Sequence, residues 1–327
     1  MKPSTIFSIL FCLLCFNQGF AQRQNVYFLK NSGVQVNLRD SADFIRVVSE
    51  PDSGTTLYNV KEYYKTGKIR LIGKTSKIEP LQLEGQCVTY FPSGKKRIYA
   101  NYKDGRLEGD VFSYFPNGKP YAYKRYSQTP VTQGSGFRED YAIMACNDSV
   151  GKELVVNGNG YYIGYDSDFK NVVEEGNVKS GLRDGKWKGS NGNEKNYITF
   201  AEEYDNGKMI SGQSVDKDGL VVNYTTRAYE PQFKNGIQAF YQFLASSMIY
   251  PQNARERNIT GKVLVSFVVE KDGSLSDVNV IKNPNDELSA EALRVVKKSP
   301  KWIPGMQYGR TVRVYYTVPI NFTLNGR

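Results

Sequence analysis

Two hydrophobic rhythms divide the chain near Glu230-Pro231. Before that point, apolar residues come in short runs between Gly, Asn and Lys turn signals, a pattern of strands and hairpins. After it, the spacing changes. Gly236 to Ser247 puts Ile237, Phe240, Tyr241 and Leu244 on one face and predicts a helix that stops at Tyr250-Pro251. Asn253 to Arg257 gives a short further turn. Gly261 precedes a strand in which Val263, Val265, Phe267 and Val269 alternate with Leu264, Ser266 and Val268. Lys271-Asp272-Gly273 is a hairpin turn, and Leu275 to Ile281 is the returning strand. Asn285 or Asp286 caps a second helix with Leu288, Ala292, Val295 and Val296 as its apolar stripe, and Ser299-Pro300 ends it. Thr311 to Leu324 reads as the last strand, with Val312, Val314, Tyr316, Val318, Ile320 and Phe322 on one face. The expected class is α+β. An antiparallel hairpin-repeat sheet (22–229) precedes a small two-layer domain (230–327) of order helix-strand-strand-helix-strand.

The first region repeats itself. Gly85-Gln-Cys-Val-Thr-Tyr-Phe-Pro-Ser-Gly94-Lys95 recurs as Gly109-Asp-Val-Phe-Ser-Tyr-Phe-Pro-Asn-Gly118-Lys119. Weaker copies are Tyr64-Lys-Thr-Gly67-Lys68, Gly181-Leu-Arg-Asp-Gly185-Lys-Trp187 and Tyr204-Asp-Asn-Gly207-Lys208. Each reads as a strand, a Gly turn and a returning strand. One hairpin buries little, whereas stacked hairpins share a row of aromatic rings.

The N-terminus carries a targeting pattern: Lys2, an apolar run from Ile6 to Phe16, and small residues at Gly19 and Ala21. Residues 1–21 are expected to form a signal peptide. The run is shorter than a spanning helix needs, and an uncleaved inner-membrane anchor is the alternative. Cys12 and Cys15 leave with the signal. Cys87 and Cys146 remain, either as one disulfide, which an oxidising compartment permits, or as two buried thiols.

Composition narrows the chemistry. The 327 residues contain no His, which excludes His bases, His-activated nucleophiles and His-ligated metals. The one CxxC spacing, Cys12-Leu-Leu-Cys15, falls inside the expected signal peptide, and no phosphate loop or HExxH is present. The carboxylate pairs Glu174-Glu175 and Glu202-Glu203 lie on strands, where neighbours point to opposite faces. An enzyme, a metal and a cofactor are not expected. Forty-three Lys and Arg against thirty-three Asp and Glu give a net charge of +10. Residues 231–327 hold thirteen basic and seven acidic residues. In an exported protein this favours an acidic partner segment or the envelope surface over nucleic acid.

The hairpin units, with their Gly, Tyr or Trp and Gly-Lys spacing, resemble the MORN repeat family over about 60–125 and 175–215. That resemblance implies an interaction or scaffold role. From Glu230 to Leu324 the chain looks like the TonB C-terminal domain. The carrying residues are Tyr250-Pro251, Gly261, Asp272-Gly273, Pro300-Lys-Trp302-Ile-Pro304 and Val318-Pro319-Ile-Asn-Phe322. Most of these are expected to be core and turn residues. The resemblance implies a periplasmic or envelope domain that pairs the edge of its sheet with the TonB box of an outer-membrane receptor. An ExbB/ExbD-type membrane complex would supply energy if the N-terminus stays uncleaved. The family's long Pro-rich spacer is missing, and hairpins take its place.

The last strand can be read without the family. Pro319 lacks an N–H and belongs at a sheet edge. An edge offers backbone groups to an incoming strand, with side chains at alternate positions giving selectivity. Arg313, Tyr315, Thr317, Pro319 and Asn321 are the expected contact residues. Two alternatives stand beside this reading: a homodimer through the same edge, and a non-energising scaffold that docks through the repeat sheet.

Overall fold

The computed structural model describes residues 23–127, 141–194 and 196–324. The expected signal peptide lies outside the described residues. The chain forms two compact units. One runs up to Lys96 and takes in Asn101–Arg106; the other comprises Arg97–Ala100 and the chain from Leu107 on.

The first unit is an antiparallel sheet of β1 (Gln24–Leu29), β2 (Gln35–Val36), β3 (Phe44–Ser49), β4 (Tyr58–Tyr64), β5 (Ile69–Lys77) and β6 (Gln82–Tyr90). The strand β7 (Lys96–Lys103) crosses the boundary between the units. Val48, Val60, Leu71 and Cys87 form the core of the first unit. Glu62 is buried there, held by Arg46 at 2.7 Å and by Arg70.

The second unit opens with ten strands that succeed one another in the sheet. They are β8 (Arg106–Tyr114), β9 (Pro120–Tyr126), β10 (Tyr141–Asn147), β11 (Glu153–Val156), β12 (Asn159–Tyr165), β13 (Val172–Lys179), β14 (Leu182–Asn191), β15 (Ile198–Asp205), β16 (Lys208–Asp216) and β17 (Val221–Tyr224). Its aromatic row includes Phe115, Tyr121, Tyr162, Trp187 and Tyr204.

One turn geometry accounts for three of the five repeat copies, whereas the copies at Gly181 and Gly207 use two-residue turns, Ser180-Gly181 and Asn206-Gly207. The N–H of Tyr64, Phe91 and Phe115 donates to the C=O of Lys68, Lys95 and Lys119 at 2.9, 2.8 and 2.9 Å. Gly67, Gly94 and Gly118 sit at φ 81, 90 and 88° and donate back across the turn. That left-handed backbone is cheap only for Gly. The same turn recurs at Lys30–Val34, Asp148–Lys152 and Asp216–Leu220, where the sequence lacks the aromatic-to-Lys signature. A second Gly role is packing. Gly176 lies opposite Trp187, and a Cβ there would come within 2.4 Å of the indole. Gly212 stands in the same relation to Tyr224. Each ring lies over a backbone with no side chain on it, which lets bulky aromatics sit on neighbouring strands.

The remaining elements are β18 (Ala228–Tyr229), α1 (Gly236–Ser247), α2 (Gln252–Glu256), β19 (Gly261–Val269), β20 (Leu275–Lys282), α3 (Asp286–Lys297), β21 (Gly305–Gln307), β22 (Arg310–Val312) and β23 (Val314–Phe322). Asn285 caps α3 by accepting from the N–H groups of Glu287 and Leu288 at 3.0 and 3.2 Å. The helices cover one face of the sheet β20-β19-β23. Between them lie Phe240, Leu244, Val265, Phe267, Leu288 and Trp302.

One expectation is corrected and one open alternative is decided. The long last strand is interrupted at Arg313, so Thr311 and Val312 belong to a separate hairpin. Of the two alternatives open for Cys87 and Cys146, a disulfide or two buried thiols, the structure has two unpaired thiols. Cys87 is buried in the first unit's core and Cys146 in the second's. Burial pushes the Cys87 thiol up to about 11, with Glu62 adding to it, and raises that of Cys146 as well. Among the described residues, no helix is long and apolar enough to cross a membrane, and no cluster of potential metal ligands occurs.

Candidate peptide-docking edge

The three-stranded sheet has two edges, and they differ. On one side β20 pairs with β19 through two register shifts, and Asp277 within it has φ 48°. Bulges of this kind spoil an edge for further pairing. On the other side β23 pairs with β19 over nine consecutive residues without a shift, from Gly261 opposite Phe322 to Val269 opposite Val314. Among the described residues, no other strand pairs with β23.

Burial alternates along β23. Val318, Ile320 and Phe322 are buried, and Tyr316 is half-buried against Phe267 and Trp302. Tyr315 is 62% exposed, and Thr317 and Asn321 are also exposed. Pro319 fixes the backbone. It stands opposite Leu264 in an unbroken ladder, yet it has no N–H to donate. In an antiparallel strand the N–H and C=O of one residue point the same way, and those of the next point the other way. A proline is accommodated where these groups face away from the neighbour. The backbone groups of Tyr315, Thr317 and Asn321, which share its parity, therefore face the open side. The even-numbered residues bond to β19.

The remaining motif residues hold this edge in place. Trp302 is buried against Phe233, Phe240, Phe267 and Tyr316 at centroid distances of 5.7, 5.0, 5.5 and 5.4 Å. Its N–H donates to the C=O of Gly273 at 2.8 Å. Gly273 sits at φ 83°, and Asp272 receives Lys301 at 2.7 Å, which together pin the β19–β20 turn. Tyr250 packs on Phe322 and donates its hydroxyl to the C=O of Ile259 at 2.5 Å. Pro251 precedes α2, Gly261 opens β19 under Pro284, and half-buried Pro304 leads into β21. Arg313 is not on the edge strand. It lies between β22 and β23 and donates to both carboxylate oxygens of Glu270 at 2.7 and 2.8 Å. Its guanidinium, with help from Ser276, holds the Glu270 carboxyl below its usual range.

A hairpin absent from the sequence expectations leads into this edge. β21 and β22 leave the C-terminal core as a hairpin, and β21 pairs on its other side with β18. At their tip Tyr308 (φ 51°) and Gly309 (φ 76°) make a turn with two left-handed residues. The Tyr308 ring is buried between Phe200, stacked at 4.9 Å, and Tyr224, edge-on at 6.1 Å. Its N–H donates to the C=O of Arg227 at 2.7 Å, and its C=O accepts from the Ser214 hydroxyl at 2.8 Å. Arg310 reaches Asp216 at 2.9 Å and the C=O of Leu220 at 2.7 Å. β23 therefore continues directly from a hairpin plugged into β15–β17.

Beneath that plug lies a charged cluster. Glu202 accepts from Arg227 and from the hydroxyls of Tyr204 and Tyr224 at 3.0 and 2.8 Å. Glu174 accepts from Arg183 at 2.8 Å. The partner carboxylates Glu175 and Glu203 point to the other face, Glu175 toward Lys188 at 3.1 Å. Burial pushes the Glu174 carboxyl up, but Arg183 and Arg227 together outweigh it and hold it below its usual range. A carboxyl depressed in the fold contributes its full stability above the ordinary carboxylate range and loses it as pH falls through the folded value. The urea midpoint should therefore be level near neutrality and fall below about pH 4. Glu174→Gln should flatten part of that fall; an unchanged acid limb would contradict this assignment.

Residues 246–324 match the family described as Gram-negative bacterial TonB protein C-terminal, and residues 83–104 and 107–128 match the MORN repeat variant. Those segments resemble MORN-type hairpins and a TonB C-terminal domain, and neither match spans half of the chain. Among curated proteins it resembles Protein TonB from two strains of Helicobacter pylori, at 33% identity over 100 residues. That stretch is 30% of this chain and 34% of theirs, so the chain spans about a third of the length of these relatives. Two NMR solution structures of the Helicobacter pylori TonB C-terminal domain match at 30% and 33% identity. They cover 28% of this chain and 82% and 96% of their own, each with a TM-score of 0.23.

Proposed function

We propose that this is an envelope protein of the TonB-dependent transport system, whose C-terminal domain captures an extended segment of an outer-membrane receptor by strand addition at β23. The observation that carries the reading is the contrast between the two edges: β23 is in unbroken register and open, whereas β20 is bulged. Likeness to Protein TonB over 100 residues, with the family match over residues 246–324, supports the receptor as partner and the periplasm as location. Tyr315, Thr317 and Asn321 supply the backbone bonds and the selecting side chains, and Pro319 contributes its C=O alone. An ExbB/ExbD-type complex enters only if residues 1–21 remain as an anchor.

Backbone parity supplies the test. Thr317→Pro removes a donor that faces the open side and leaves the β19 ladder whole. Val318→Pro removes a ladder bond and should destabilise the domain. Thr317→Pro is expected to melt near the wild-type temperature while binding receptor N-terminal peptides about tenfold more weakly, from one lost bond and the ring's bulk. Equal peptide binding by folded Thr317→Pro protein would sink the strand-addition reading.

A further inference from the structure

An open, regular edge strand pairs with a second copy of itself as readily as with a partner. β23 has no bulge, and no inward-pointing charge interrupts it. The one irregular feature on its open side is Pro319. We infer that Pro319 is a specificity residue that biases this edge against a second copy of the chain and in favour of a foreign strand. This rests on the docking role of β23 proposed above.

The reasoning is a count of bonds. Four residues face the open side: Tyr315, Thr317, Pro319 and Asn321. Two copies meeting about a twofold axis run antiparallel. In the register that uses all four, Tyr315 stands opposite Asn321 and Thr317 opposite Pro319, each pair in both directions. Each antiparallel pair of this type exchanges two N–H···O bonds. The missing Pro319 donor occurs once in each copy, so self-pairing loses two bonds and leaves the Thr317 carbonyl of each copy facing a pyrrolidine ring. A foreign strand that has its own donors loses one. Shifting the self-register so that Pro319 meets Pro319 still loses two and pairs fewer residues. Moving it so that Pro319 is left out shortens the ladder further. Any twofold contact that includes Pro319 therefore counts the defect twice, and a heterologous contact counts it once. The excess of basic residues in 231–327 acts in the same direction, because it repels a second copy and attracts an acidic segment.

The experiment is sedimentation velocity on the full chain without its first 21 residues, with no receptor present. Wild type is expected to be monomeric. Pro319→Thr and Pro319→Ala both restore the N–H with different side chains, and both should shift the protein toward dimer by about tenfold or more. Adding Thr317→Pro to either variant should reverse the shift, because it removes a donor on the same side. Binding of a receptor peptide should tighten by a smaller factor than self-pairing. Circular dichroism checks that each variant is folded. Folded Pro319 variants that remain monomeric would overturn the inference, as would a wild type already paired through this edge or a dimer that persists with Thr317→Pro. Because self-association is read without a partner, these outcomes are separate from the peptide-binding test of the docking role.

Discussion

Glu202→Ala is expected to destabilise the second unit by about 4 kcal/mol, the largest single effect in the molecule. The Glu202 side chain is fully buried and accepts hydrogen bonds from Arg227, Tyr204 and Tyr224. Burial disfavours the Arg227 charge, and the bonds to Glu202 outweigh that and raise its pKa. Removing the carboxylate leaves a guanidinium only 8% exposed next to Phe200 and Tyr308, with Glu174 at 3.5 Å as a poorer counter-ion. Breaking one side of a buried pair costs far more than replacing both sides. Glu202→Leu combined with Arg227→Leu should therefore recover a good part of the loss. Chemical denaturation of the three proteins checks this. A double variant no better than the single would show that the cluster acts through packing alone.

The second large effect is at the plug. Tyr308→Ala is expected to cost about 3 kcal/mol, in the range for truncating a buried aromatic. The ring fills the space between Phe200 and Tyr224, and the hairpin around it fastens the C-terminal domain to β15–β17. Its loss should also uncouple two cores. The helices α1 and α3 with β19, β20 and β23 have a core of their own, distinct from the aromatic row of the hairpins. Calorimetry of Tyr308→Ala should resolve their melting as separate transitions where the wild type melts them together. A Tyr308→Phe control should stay close to wild type, because among the bonds described at this residue those to Arg227 and Ser214 use its backbone. A single transition at the wild-type temperature in Tyr308→Ala would mean that the hairpin does not fasten the domain.

Much of the C-terminal domain was legible in the sequence because local signals agree with the packing. The stripe Phe240, Leu244, the alternation Val263 to Val269 and the Asn285 cap each specify their element without outside help. The hairpin repeat was legible where Gly followed an aromatic residue at fixed spacing. It was hidden at Lys30, Asp148 and Asp216, where the same backbone turn is made by residues with different side chains. The plug escaped for a physical reason. Gly305 to Val312 is short, carries no alternation, and owes its shape to Phe200, Tyr224 and Arg227, which are distant in sequence. Tyr308-Gly309, a bulky residue followed by Gly in a two-residue turn, was the available signal. The buried Glu202 was half legible: strand alternation separates it from Glu203, but nothing local says which of the two faces inward. The open edge was legible through Pro319, whereas the break at Arg313 depends on its pairing with Glu270 across the sheet.

Site-specific photo-crosslinking in the native cell decides whether β23 receives a partner's strand. A photo-reactive residue replaces Tyr315, which is exposed on the open strand. Capture of an outer-membrane receptor through a segment near its N-terminus, abolished by Thr317→Pro, is the expected result. Capture of nothing, or only of a second copy, by folded protein would contradict the claim and point to the hairpin sheet as the working surface.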